Sequence, residues 1–190
     1  ERAKRVRPQL DDKIILGWNA LMNTAISKAF AATGHTAYRD LAIRNMNFLL
    51  EHFKAEKGYH HTWKSGKAKY PAFLDDYAYL IDALIQLQEI TGNRDWLQKA
   101  RELTEFVREH FREEGTGFFF YTPAGQQDII VRKKEVYDSA VPSGNSVMAY
   151  NLWKLSLFLD KKEWGEQSLQ MVFSLSNAIS KYPVSFGKWA

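Results

Sequence analysis

The sequence predicts an all-α fold made of three helical hairpins with one small β excursion. Three observations carry that prediction. Apolar residues recur at helical spacing in six long stretches. Those stretches alternate between nearly all-apolar and amphipathic. Each amphipathic stretch opens on an aromatic residue, Tyr38, Trp96 or Trp164, and these keep a fixed offset from the start of the preceding helix.

The first helix spans about 14–32, with apolar positions at 14/15, 18, 21/22, 25/26 and 29/30, after a lead-in that Arg7-Pro8 biases to an extended form. Thr33-Gly34 ends it. The second starts at Thr36 and places Tyr38, Leu41, Phe48 and Phe53 on one face, with Arg39, Asp40, Arg44 and Glu51 elsewhere. Residues 55–71 read as a loop punctuated by Gly58, Gly66 and Pro71. The third helix, about 72–91, is apolar nearly all round and so should be buried on most sides. The fourth, about 93–112, is amphipathic. Gly115 and Gly117 then break the pattern. The β-prone runs Phe118–Tyr121 and Ile129–Val131 around Pro123-Ala124-Gly125 predict a small hairpin. The fifth helix, about 143–159, is again almost wholly apolar, and the sixth, about 161–180, is amphipathic but less regular.

Twenty residues before each aromatic lie Trp18, Asp76 and Gly144, followed by Asn19, Tyr77 and Asn145. The polar stretches Asp11-Asp12-Lys13, Asp75-Asp76-Tyr77 and Asp138 to Asn145 therefore hold equivalent places in three hairpins. Helices one, three and five then lie parallel on the inside with their N-terminal ends on one rim, which is the layout of an α/α toroid. Three hairpins make about half of a six-hairpin barrel. A solenoid of helix pairs is the alternative; the long connections before helices three and five, about 16 and about 30 residues, favour the toroid.

Composition bounds the function. Hydrophobic residues make up 45% of the 190, charged residues 25%, and the formal net charge is +4. That is ordinary for one globular domain. The basic excess lies partly in Arg2, Lys4, Arg5 and Arg7, and the other charges alternate in sign, so no nucleic-acid partner is expected. No apolar run is long enough to span a membrane, no signal peptide is visible, and a cytoplasmic location is the expectation. The absence of cysteine excludes disulfides, thiolate metal sites and a Cys nucleophile. His and Asp show no recognisable metal-ligand spacing, and no cofactor motif is present.

The rim carries the candidate chemistry. Asp12, Asp76 and Asp138 are the acid/base candidates, since converging carboxylates suit glycoside hydrolysis or proton transfer beside a carbonyl. Trp18, Asn19, Tyr77, Ser143, Asn145 and His61 are the substrate-binding candidates; aromatic walls suit a sugar ring, and a His can shuttle protons. The competing reading is structural. Asp12, Asp76 and Ser143 are natural helix N-caps, Trp18 and Tyr77 suit a core, and His60 and His61 suit an exposed loop.

Asp11-Asp12-Lys13-Ile14-Ile15 with Trp18-Asn19 and Leu21-Met22, then Asp75-Asp76-Tyr77-Ala78, then Asp138, Ala140 and Pro142-Ser143-Gly144-Asn145-Ser146, closely resemble three successive motifs of the YyaL-like, or spermatogenesis-associated protein 20, family of thioredoxin-domain-containing proteins. The order and spacing agree over almost the whole chain, although Ala20 stands where the pattern leads one to expect glycine. The resemblance implies a six-hairpin glycosidase-like toroid, akin to that of N-acylglucosamine 2-epimerases, which follows a thioredoxin-like domain. It implies that residues 1–190 are a single toroid segment of a longer protein, with the rest of that polypeptide as a partner. No epimerase motif matches, so no epimerase residue is carried over. Two functions stay open: an isomerase or hydrolase acting on a carbohydrate or polyol, and a non-catalytic interaction module serving the thioredoxin-like domain. Half a toroid exposes apolar helix sides, so a homodimer, or coverage by lead-in and tail, is also expected.

Overall fold

The inner helices end where the chain can turn back sharply. In the computed structural model, which describes residues 1–7, 10–126 and 130–190, α1 (Leu16–Thr33) ends at Gly34 and α3 (Leu74–Thr91) at Gly92, both left-handed at φ +71° and +68°. Their N–H groups close on the carbonyls of Phe30 and Gln88. In the third hairpin Asp160, at φ +52°, takes the same turn after α5 (Gly144–Leu159), a conformation that Asp tolerates better than most residues. Each turn residue sits four positions before the aromatic that marks its repeat.

The outer helices are α2 (Thr36–His52), α4 (Arg94–His110) and α6 (Lys162–Ser174). Each packs on its own hairpin partner, and α3 packs against both α1 and α5. Burial follows the apolar pattern. α3 buries residues on every side, among them Leu74, Tyr77, Leu80, Ile81, Leu84 and Leu87. α2 buries the stripe Ala42, Met46 and Leu49, and α4 the stripe Ala100, Leu103 and Val107. Buried side chains tie the layers by donating to backbone carbonyls: Asn23 to Ala42 at 2.8 Å, Asn151 to Ala78 at 2.8 Å, and Ser168 to Ala149 at 2.6 Å. Buried donors paired in this way favour one arrangement of helices.

Three expectations are corrected. The stretch 55–71 is not a plain loop. β1 (Ile14–Ile15), β2 (His60–Lys64) and β3 (Lys67–Pro71) form an antiparallel sheet in the order β1-β2-β3. Ser65 and Gly66, at φ +50° and +78°, make the two-residue hairpin turn. The β excursion expected at 118–131 is no hairpin among the described residues, where Phe119 makes one isolated bridge to Arg112; Ile129, like Pro8, lies outside the described residues. The sixth helix breaks at Leu175 into α6 and α7 (Ser176–Lys181).

Beyond α7 a 3-10 turn, Pro183–Phe186, brings the tail back to the segment before α5. Phe186 and Trp189 are buried there, the Lys188 N–H donates to Asp138 Oδ2 at 2.8 Å, and the Trp189 indole donates to the Val136 carbonyl at 2.8 Å. Part of the α5/α6 hairpin stays uncovered: Trp153, Leu157, Leu169 and Phe173 are exposed. No helix among the described residues is long and apolar enough to cross a membrane.

Candidate functional site

The first turn of α3 holds two consecutive carboxylates, which reach to either side. Asp76 points toward α1. Its Oδ1 accepts the Gly17 N–H at 2.9 Å, and its Oδ2 accepts the Phe73 N–H at 2.9 Å. His61 of β2 brings Nδ1 to within 2.7 Å of the same Oδ2. One side chain thus serves orphan donors at the starts of two helices, and Asp76 is buried. Gly17 is required at this approach, because a Cβ there would lie 2.8 Å from Asp76 Oδ1.

Asp75 points toward α5. Its carboxylate meets the backbone N–H of Gly144, and a Cβ on Gly144 would collide with it. Burial pushes the Asp75 carboxyl up from the ordinary 3.8 to about 7; the Gly144 N–H opposes this, while Asp76 and Glu135 add to it. His61 is shifted upward chiefly by its hydrogen bond to Asp76. Tyr79 and Tyr121 stand close enough for the Asp75 charge to reinforce the rise that burial imposes on their hydroxyls. The Tyr79 hydroxyl donates to the Pro142 carbonyl. The Tyr121 ring stacks on Phe73 at 4.9 Å, and the His61 ring tilts against Phe73, also at 4.9 Å. The result is one half-buried group that exchanges a proton near neutrality, beside a buried carboxylate–histidine pair.

The sequence-derived candidates separate into three groups. Asp76 and His61 come together as described. Trp18 is 67% exposed and lines a shallow pocket of about 290 Å³ with Leu21, Met22, Ala25 and Val141, so it is surface and not core. The others are engaged in structure. Asp12 is exposed and ion-paired with Lys64, which holds its carboxyl below the usual range. Asn19 donates back to the Ile15 carbonyl at 2.9 Å. Tyr77 is buried; its oxygen accepts the Tyr59 N–H at 2.8 Å and its ring packs on Phe106 and Phe111. Ser143 caps α5 by accepting the Ser146 N–H at 3.1 Å. Asn145 is wholly buried, exchanging two 2.9 Å bonds with the Phe119 backbone and donating to Glu135 at 2.8 Å. Asp138 accepts from the Ser143 N–H, the Ser146 hydroxyl and the Lys188 N–H.

Tyr77, Ser143 and Asn145 thus serve as internal ties in this structure. Asp12 and Asp138 share no contact with Asp76 among the described residues. Asp75 was placed on the rim by the repeat but not among the acid/base candidates. Its signal lay in the pairing with Gly144, the small residue that opens α5. No cluster of three or more His, Asp or Glu that could hold a metal ion occurs among the described residues.

No family model matches the chain. It is 31% identical over 197 residues to an uncharacterised protein of Caenorhabditis elegans, covering all of this chain and 27% of that one. Mouse spermatogenesis-associated protein 20 is 29% identical over 195 residues, covering 97% of this chain and 25% of the relative. The chain is homologous to spermatogenesis-associated protein 20. It spans about a quarter of the length of these curated relatives.

Among solved structures, an α-mannanase of Bacteroides thetaiotaomicron superposes with a TM-score of 0.73 at 13% identity, over 93% of this chain and 46% of its own. The cellobiose 2-epimerase of Spirochaeta thermophila gives 0.69 at 15%, over 86% and 43%. An α-1,6-mannanase of a Salegentibacter species gives 0.70 at 8%, over 85% and 47%; it is an inactive variant with two consecutive aspartates replaced by alanine. At these identities the likeness establishes the fold, an α/α toroid, and the chain matches somewhat under half of each neighbour.

Proposed function

We propose that the rim acts on a carbohydrate or polyol, as an isomerase or a hydrolase, with Asp75 as the group that gives and takes the proton. One observation carries this reading. Consecutive carboxylates on the central inner helix sit in contrasting surroundings, Asp76 saturated by three donors and Asp75 desolvated with a proton affinity near neutrality. A carboxyl raised toward neutrality in a cleft beside other polar groups marks a candidate acid/base site. Trp18, exposed on α1, offers a sugar ring an apolar face. The solved neighbours that act on saccharides support the substrate class, and the mannanase inactivated at two adjacent aspartates parallels Asp75-Asp76.

A screen of manno- and gluco-oligosaccharides and free hexoses for cleavage or epimerisation tests the reading. With a substrate in hand, Asp75→Asn should lower turnover by about 10²-fold or more while the thermal midpoint is held or raised. Full activity in Asp75→Asn would remove Asp75 from the chemistry. The second reading has its own observation: Gly17 and Gly144 both press on the aspartate pair, so the two carboxylates tie three helix starts together. On that reading the segment is a non-catalytic module serving the remainder of the parent protein. Asp76→Ala would then cost stability, and no saccharide would shift the melting of the parent protein.

A further inference from the structure

The small sheet has a charged face that the carboxylate site does not use. Thr62 pairs with Lys69, and Lys64 with Lys67. Side-chain alternation places all four on one face, while His61 turns to Asp76 on the other. Lys13, Thr62, Lys64, Lys67, Lys69 and Tyr70 line one pocket of about 420 Å³. Like charges directly opposite one another weaken an antiparallel pair, and Lys64 faces Lys67 in this way. Asp12 offsets Lys64, and Asp11 offsets Lys13 at 3.4 Å. Lys67 and Lys69 have no acidic partner within salt-bridge distance among the described residues. Tyr70 holds φ +62°, a left-handed backbone uncommon for a bulky side chain, with its ring 64% exposed. Two unoffset cations and a strained aromatic thus meet around one hollow.

The spacing limits the ligand. Cross-strand neighbours lie about 5 Å apart and diagonal ones about 7–8 Å, so the four lysines span a width that suits one or two anionic groups. A nucleic-acid backbone needs a longer track of cations.

We propose that this lysine face binds an anionic substituent, a carboxylate, sulfate or phosphate, of a saccharide. That the ligand is a saccharide rests on the proposed function; that the face binds an anion does not. Calorimetric titration of the 190-residue chain tests it with length-matched neutral, uronic-acid and sulfated oligosaccharides, inorganic phosphate, and a single-stranded oligonucleotide. An acidic oligosaccharide should bind about tenfold or more tightly than the neutral one, with affinity falling as salt rises. Combined Lys67→Gln and Lys69→Gln should remove about tenfold of that affinity, leave neutral-sugar binding unchanged, and keep or raise the thermal midpoint. Equal affinity for neutral and acidic oligosaccharides, or no loss in the double variant, overturns the proposal. Equally tight, equally lysine-dependent binding of the oligonucleotide overturns the saccharide assignment. Asp75→Asn should retain the lysine-dependent binding, so a rim without turnover and a sheet without an anion site fail separately.

Discussion

Asp75 and Asp76 are adjacent in sequence and opposite in circumstance. Asp76 has two backbone N–H groups and a histidine; Asp75 has burial and one approaching N–H. Because the folded protein holds a proton on Asp75 up to about pH 7, while the unfolded chain releases it near 3.8, the native state binds more protons between those values. Stability contributed there is present at low pH and is lost as pH rises through about 7. His61, with its raised affinity, runs in the same direction. Asp75→Asn should therefore be more stable than the parent at pH 8, by roughly 2–4 kcal/mol, and indistinguishable from it near pH 4. Urea titrations of both proteins at the two pH values check this. A constant difference across pH would mean that Asp75 is ordinarily acidic. The location of this residue was legible from the repeat, but its special character was not. Twenty-residue spacing points to Asp76, whereas desolvation depends on what α5 brings against its neighbour, a long-range fact that local pattern does not hold.

At the scale of elements, α5 is set in place by side chains on either side of its start. Asn145 binds the Phe119 and Glu135 backbones, and Asp138 gathers two serines and the tail. Asn145→Ala would strip the buried Phe119 N–H and C=O and the part-buried Glu135 carbonyl of this partner and should cost about 2–4 kcal/mol. A lower urea midpoint at unchanged slope is the expected result. A loss below about 0.5 kcal/mol would show that water replaces the amide. The six long helices were legible because their apolar residues follow the helical period and their ends carry Gly34 and Gly92. The sheet was not. β2 and β3 place lysines on the outward face, and the Ser65-Gly66 turn reads in sequence as loop punctuation. β2 and β3 pair with each other across that turn, and Ile14 and Ile15, more than 40 residues earlier, add the third strand. Conversely, Phe118–Tyr121 has strand propensity, yet Phe118 and Phe119 are claimed by the core; tertiary packing overrides local preference there.

For the molecule as a whole, the inner-outer layering repeats three times and leaves the last hairpin with an open apolar side. Tyr150 and Trp153 of α5 and Leu169 and Val172 of α6 share a groove there, and Leu157 and Phe173 stand exposed beside it at 66% and 70%. A patch of this kind invites a partner, and the 190-residue chain alone should self-associate reversibly as its concentration rises. Sedimentation velocity should show this, with Leu157→Lys combined with Phe173→Lys shifting the chain to monomer. A parent that stays monomeric at high concentration would sink the idea. The returning tail sets a different constraint, one of timing. Asp138 and Val136 are fastened by Lys188 and Trp189, 50 and 53 positions further along the chain. As the polypeptide leaves the ribosome, α1 to α4 can collapse while the approach to α5 still lacks its clasp. The approach to α5 is therefore complete only once Lys188 and Trp189 have emerged.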